Sequence, residues 1–136
     1  MRIVLDTNIL LVSVSDRSKH HWVYKSLLDQ KYELAISNSI LNEYEEKIGE
    51  HWHPAVAQAV IRTLLELPNV ILTNVRFDLQ LIASDLDDNK FADCAFASNS
   101  RYLVTNDKDF NILKETDFPK IEVLKMDEFK EVLENS

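Results

Sequence analysis

The chain has 136 residues, 46% of them hydrophobic, enough for one compact domain spanning residues 1–136 with a buried core. Its formal net charge of −8 repels polyanions unless basic residues cluster locally or metal ions offset the acids. The single cysteine, Cys94, excludes an internal disulfide framework and a cysteine-built zinc site, and the single glycine, Gly49, excludes the glycine-rich loops that cradle nucleotide phosphates.

In chain order, residues 2–5 (RIVL) form an apolar run rich in β-branched residues that stops at Asp6, the pattern of a short buried strand. An aspartate inside MRIVLDTNILLVSV, with no small-residue cleavage site, argues against a signal peptide, and a helix is expected to start near Asn8. In 22–28 (WVYKSLL), Trp22, Leu27 and Leu28 share a helical face. A second strand follows at 33–37 (ELAIS). Two helical segments come next, with Ile40, Tyr44 and Ile48 recurring in the first and Val56, Val60, Ile61, Leu64 and Leu65 in the second. A third strand is expected at 69–73 (NVILT). Segment 91–98 (FADCAFAS) is apolar nearly all round and reads as a buried helix with Cys94 as core filler. Strands at 101–105 (RYLVT) and 121–125 (IEVLK) and an amphipathic helix in MDEFKEVLEN complete the chain. Pro54, Pro68 and Pro119 sit at element boundaries, and His51 and His53 read as a partly exposed hinge beside Pro54. No apolar run approaches the roughly 18 residues of a membrane span, so the expected location is the cytoplasm and no membrane partner is implied.

Strands alternating with helices predict an α/β fold with a mainly parallel sheet. In such sheets ligands bind outside the carboxyl ends of the strands, where neighbouring connections leave in opposite directions. Asp6, Thr7 and Asn8 follow the first strand. Ser37, Asn38 and Ser39 follow the second, with Glu43 in the first turns of the next helix. Asn106, Asp107 and Asp109 follow the fourth, and Asp85, Asp87, Asp88 and Asp93 lead into the helix before it. The acids gather at one edge.

Each acid has an ordinary reading: Asp6 as a helix cap, Asp93 at the positive end of a helix, Asp107 as turn chemistry. Convergence needs another cause, because two carboxylates about 4 Å apart repel by roughly 4 kcal/mol at an effective dielectric of about 20. Oxygen ligands without histidine or cysteine suit Mg²⁺ or Mn²⁺. Two such ions about 3.5–4 Å apart activate water and stabilise the leaving oxygen of a phosphodiester.

The segments LDTN at 5–8, NEYEE around Glu43, DLDDNKFADCAFA at 85–97 and LVTNDKDF at 103–110 together resemble a PIN domain. The likeness runs from Ile3 to the final strand and is nearest to single-domain bacterial PIN proteins that serve as toxin components of toxin–antitoxin pairs. The resemblance implies a three-layer α/β/α sandwich with a five-stranded parallel sheet in the order 3-2-1-4-5, which sets Asp6 beside Asp107 at the reversal point. It implies a ribonuclease that hydrolyses RNA through a metal-activated water, with Mg²⁺ or Mn²⁺ as cofactor and with an antitoxin protein and a homodimer as partners. Position by position, Asp6, Glu43, Asp93 and Asp107 match the family's metal-binding catalytic acids. Asn8 and Thr105 match polar positions that orient the first and fourth acids.

Asp88 and Asp109 are candidate outer acids, while Asp85 and Asp87 read as approach-loop residues. Glu45 and Glu46 are alternatives to Glu43, which lies nearer the strand end. Lys90 and Lys108 either position a substrate phosphate or relieve repulsion among the acids. Lys19, in the basic stretch DRSKHH at 16–21, is a further candidate phosphate contact. A second reading is a catalytically weak RNA- or protein-binding module whose acids meet a partner's Arg or Lys. An aspartate-nucleophile phosphatase is disfavoured because Asn8 stands where that chemistry needs a second aspartate.

Overall fold

A computed structural model describes residues 1–76, 78–82 and 86–136. Its strands are β1 (Arg2–Leu5), β2 (Glu33–Ile36), β3 (Val70–Leu72), β4 (Tyr102–Val104) and β5 (Val123–Leu124). They form one sheet in the order β3-β2-β1-β4-β5, and every pairing is parallel. Ile3, Val4 and Leu5 of β1 are fully buried, as are Leu34, Ala35 and Ile36 of β2. Successive side chains on a strand point to opposite faces, so helices must cover both faces of the sheet, as in an α/β/α sandwich. The edge strand β3 is partly exposed at Leu72.

The helices are α1 (Thr7–Leu11), α2 (Trp22–Leu28), α3 (Asn38–His51), α4 (Pro54–Glu66), α5 (Asn89–Ala97) and α6 (Met126–Glu134). Ser37 caps α3 by accepting a hydrogen bond from the Ile40 amide at 3.3 Å, and His53 accepts from the Ala55 amide ahead of α4. Ile40, Tyr44 and Ile48 form the buried stripe of α3, and Val60, Ile61 and Leu64 that of α4. Leu65, placed on the same stripe by its spacing, is largely exposed. Trp22 packs on Phe129 of α6, with ring centroids 5.8 Å apart. Among the described residues no helix is long and apolar enough to cross a membrane.

The helix before β4 starts earlier than its apolar composition suggests. A 3-10 turn at Leu86–Asp88 runs directly into α5 at Asn89. The buried Asn89 side chain accepts from the Ile82 amide at 2.8 Å and donates to the Ile82 carbonyl at 3.0 Å. That anchor sits at the start of α5, which begins two residues ahead of the expected segment 91–98 and carries Asp93 on its second turn. A second 3-10 segment, Lys108–Glu115, follows β4, with the Asp107 side chain accepting from the Asp109 amide.

Register sets the position of the acids. Leu5 pairs with Val104, so the chains leaving β1 and β4 emerge side by side, and the Asp6 amide donates to the Val104 carbonyl at 3.0 Å. β1 lies between β2 and β4, which makes its junction with β4 the point where the strand order reverses.

Candidate metal centre

Asp6 follows the last residue of β1 and is buried. It precedes α1, yet its side chain makes no capping bond, so the ordinary reading of Asp6 as a helix cap is not realised. Its Oδ2 instead accepts from the Thr105 hydroxyl at 2.7 Å, and the same Oγ1 accepts from the Asp107 amide at 3.0 Å. One buried threonine thus touches the acid leaving β1 and the backbone of the acid leaving β4. Burial raises the pKa of Asp6; hydrogen bonds from Thr105 and the Thr7 backbone oppose the rise, and the nearby Asp107 and Glu43 add to it.

Glu43 lies on α3 and accepts a hydrogen bond from the Thr7 hydroxyl. Its other oxygen is 2.8 Å from the Lys90 ammonium. Glu45 and Glu46 are exposed on the same helix, so Glu43 is the glutamate of this helix that reaches the β1 end. Lys90 also lies 3.1 Å from an Asp87 carboxylate oxygen and donates to the Asp87 carbonyl at 2.7 Å. Burial works against the Lys90 charge, but the bonds to Glu43 and Asp87 outweigh it and hold its pKa above the ordinary lysine value.

Among the described residues, Asp88, Asp107 and Asp109 form a group in which each offers one carboxylate oxygen within 4.8 Å of the others. Asp88 reaches it because it ends the 3-10 turn ahead of α5, while Asp107 and Asp109 enter from the turn after β4. The expected set has Asp93 as a central acid and Asp88 as an outer one; in the structure it is Asp88 that lies beside Asp107 and Asp109. Asp93 sits on the second turn of α5, where its Oδ1 accepts from the Leu79 amide at 3.1 Å. It lines a recess with Ser37, Asn38, Thr73 and Lys90. Burial raises its pKa, the Leu79 amide opposes the rise and Asp78 adds to it. A five-residue step along a helix turns a side chain well away from its starting direction, so Asp88 and Asp93 face different surroundings.

Two hollows flank these acids. One, of about 350 Å³, is lined by Asp6, Asn8, His20, Asn106 and Asp107 among others. The other is a cleft of about 520 Å³ whose walls include Asn42, Glu43, Lys47, Asp87, Lys90 and Asp93. Asn8 lines the first hollow but makes no hydrogen bond to Asp6 among the described residues; that contact belongs to Thr105. Of the basic stretch at 16–21, His20 reaches the first hollow, whereas Lys19 is exposed. Lys108 is also exposed. The approach-loop aspartate Asp85 lies outside the described residues.

His20, from the basic stretch DRSKHH, and Asn106, one of the polar residues that follow the fourth strand, both line the first hollow. Asn106 ties the turn after β4 to the start of α6 by accepting from the Met126 amide at 3.0 Å. Cys94 is buried, and burial pushes its thiol up to about 12 against a hydrogen bond with Thr73, so it is not a nucleophile at neutral pH.

A model of the PIN domain matches residues 2–109. A chain of the Rickettsia felis VapBC2 complex, solved bound to a DNA fragment from its promoter, superposes with a TM-score of 0.62 at 20% identity over 92% of this chain and 98% of that one. VapC20 of Mycobacterium tuberculosis, a toxin that cleaves the sarcin–ricin loop, superposes with a TM-score of 0.60 at 19% identity over 80% of this chain and 92% of that one. At these identities the likeness is one of fold. No curated protein sequence matches the chain significantly.

Proposed function

The chain belongs to the PIN domain family, and on that premise we propose that it is a metal-dependent ribonuclease acting as the toxin of a toxin–antitoxin pair. The observation that carries the reading is the convergence of Asp88, Asp107 and Asp109, with Asp6 joined to Asp107 through Thr105. The donor set is entirely carboxylate oxygen, which fits Mg²⁺ or Mn²⁺ and not zinc or copper. In this reading Asp88, Asp107, Asp109 and Asp6 hold the ion. When bound, it supplies Lewis-acid charge to an RNA phosphodiester and to the attacking water.

The chain's own residues then have distinct tasks. Thr105 orients Asp6 and the backbone of Asp107. Glu43, held by Thr7, contributes charge from the α3 side. His20 and Asn8 face the first hollow, where a substrate phosphate or ribose would lie against Asp6 and Asp107. Lys19 and Lys108 are exposed cations on the approach. Asp93 positions the wall of the neighbouring cleft through Leu79.

RNA is the substrate class supported by the fold likeness to VapC20, a cleaving toxin of the sarcin–ricin loop. Likeness to a VapBC2 chain supports an antitoxin protein as partner, and a homodimer acting in the cytoplasm completes the reading. Residues 1–136 act as one domain, a view supported by a buried core that includes both Ile3 and Phe129.

The test is cleavage of single-stranded RNA in Mn²⁺ by the wild type, Asp107→Asn and Asp88→Asn. Cleavage by the wild type and its loss in both variants, with helical circular dichroism kept, is the expected result. Equal cleavage by all three, or none by the wild type, would overturn the assignment.

A further inference from the structure

The two hollows beside the acids differ in what they offer a ligand. Lys47 and Lys90 line the larger cleft, whereas the hollow of about 350 Å³ has no lysine or arginine in its walls. Beyond Asp6 and Asp107, those walls include the apolar side chains of Ile9, Val12 and Met126, the His20 ring and the Asn106 amide. His20 is held through its backbone: its amide donates to Ser18 Oγ at 3.0 Å, and that hydroxyl donates to the Val12 carbonyl at 2.6 Å. On its other side, His21 Nδ1 lies 2.8 Å from the Ser13 carbonyl oxygen. The His20 ring itself has no hydrogen-bond partner among the described residues. Asn106 Oδ1 accepts from the Met126 amide at 3.0 Å, which fixes the sense of the side-chain amide. Its Nδ2 is left with two N–H donors and no acceptor among the described residues.

We propose that this hollow is a base-recognition subsite: it takes the nucleobase of a nucleotide adjoining the scissile phosphate, with the His20 ring as its stacking face and the Asn106 amide as the donor that selects a base bearing a carbonyl. The inference rests on the ribonuclease reading above and deepens it. A phosphate or ribose set against Asp6 and Asp107 leaves the attached base to meet the remaining walls. A second phosphate would find two carboxylates there and no lysine or arginine. A neutral planar ring finds apolar contact, an aromatic face and N–H donors. The volume stands at the small end of the range for ligand sites, about 300–1,000 Å³, the size class of a single nucleoside. Bases of single-stranded RNA are read by stacking on aromatic rings, histidine among them, and by hydrogen bonds to their edges. Uracil, cytosine and guanine each carry a ring carbonyl that the Asn106 donor can meet; adenine has none. His20 therefore grips any base, and Asn106 discriminates among them.

The probes are the four nucleoside 5′-monophosphates, titrated into the full chain in Mg²⁺ and followed by NMR. The uridine, cytidine and guanosine monophosphates are expected to shift the His20 ring and Asn106 side-chain amide resonances. Each is expected to bind about three- to tenfold more tightly than adenosine monophosphate, the effect of one hydrogen bond. His20→Ala is expected to weaken all four about 5- to 150-fold, and His20→Phe to restore binding. Asn106→Asp, which still accepts from the Met126 amide but has no donor, is expected to erase the discrimination against adenine. Shifts confined to cleft residues such as Asn42 and Lys47, no shift with any nucleotide, or equal binding of all four by the wild type overturns the subsite. Those wild-type data decide the matter if a variant does not fold. RNA cleavage in Mn²⁺ tests the underlying reading separately. Cleavage with no bias against adenine beside the cut removes the subsite and leaves the nuclease, whereas nucleotide binding without cleavage removes the nuclease reading and leaves a nucleotide-binding hollow.

Discussion

The Thr105 hydroxyl donates to Asp6 at 2.7 Å although the two residues are 99 positions apart in sequence. The bond exists because Leu5 and Val104 are paired, so the residues after them leave adjacent strands together. Thr105→Val keeps the shape and removes the hydroxyl. Its Mn²⁺ affinity is expected to fall about 10–100-fold, the usual effect of losing a partner that orients a ligand. Titration calorimetry measures this directly, and unchanged affinity would show that Asp6 is held by other means.

Asp88 and Asp93 are separated by one comparison. Asp88→Asn is expected to lower Mn²⁺-dependent RNA cleavage by at least about 100-fold, since its carboxylate lies in the tight group with Asp107 and Asp109. Asp93→Asn, which retains an acceptor for the Leu79 amide, is expected to lose less than about tenfold. Steady-state cleavage rates decide the order, and the reverse ranking would return Asp93 to the centre.

The raised pKa of Asp6 makes a prediction about stability with a definite sign. The folded chain keeps this proton to higher pH than the unfolded chain, so folding binds more protons between the two values. Stability from this group is fully present below the ordinary carboxyl pKa and is lost as pH rises through the folded value. At neutral pH, without divalent ions, the buried charge is a net cost. Asp6→Asn is therefore expected to melt above the wild type at pH 7 in EDTA, with the gap closing below the ordinary carboxyl range. Added Mn²⁺ should raise the wild type selectively, by about 2.7 kcal/mol at one hundred times its dissociation constant. A variant that melts lower than the wild type in EDTA would contradict the assigned origin of the shift.

Beneath the site, the buried Tyr44 hydroxyl donates to the Leu5 carbonyl at 2.6 Å, tying α3 to the residue before Asp6. Tyr44→Phe is expected to destabilise the fold by about 1 kcal/mol. The urea midpoint reports it, and no change would mean that the Leu5 carbonyl is adequately satisfied by the sheet.

Gly49 lies within α3, and a Cβ there would meet Ala57 Cβ and Pro54 Cα at 3.7 Å, ordinary packing distance. Gly49→Ala is expected to stabilise the chain by roughly 0.5–1 kcal/mol, because alanine restricts the unfolded backbone and favours helix. A lowered melting temperature would reveal crowding between α3 and α4.

The sheet was legible because its strands are continuous apolar runs, the mark of parallel strands covered on both faces, as at RIVL and ELAIS. Asp6 and Asp107 were placed at the ligand-binding edge for a related reason: each follows a strand end, where side chains leave the core; Thr105, read as the last residue of its strand, entered only through the resemblance to the PIN family. The two 3-10 segments were not legible. Leu86–Asp88 depends on Asn89 reaching back to Ile82, and no periodicity announces a turn held by one buried amide.

By itself, then, the sequence determined the succession of strands and helices and the acidic edge they create, because local apolar periodicity decides which segments can be buried. Only the tertiary structure decided which acids meet. Asp88 and Asp93 are five residues apart and chemically identical, but the starting point of α5 turns one toward Asp107 and the other toward Leu79. Lys90 likewise reads as a loose cation until folding brings it to Glu43, 47 positions upstream, and closes the pair away from solvent. Direction around a helix and proximity across a sheet are set by packing, and neither is written in local composition.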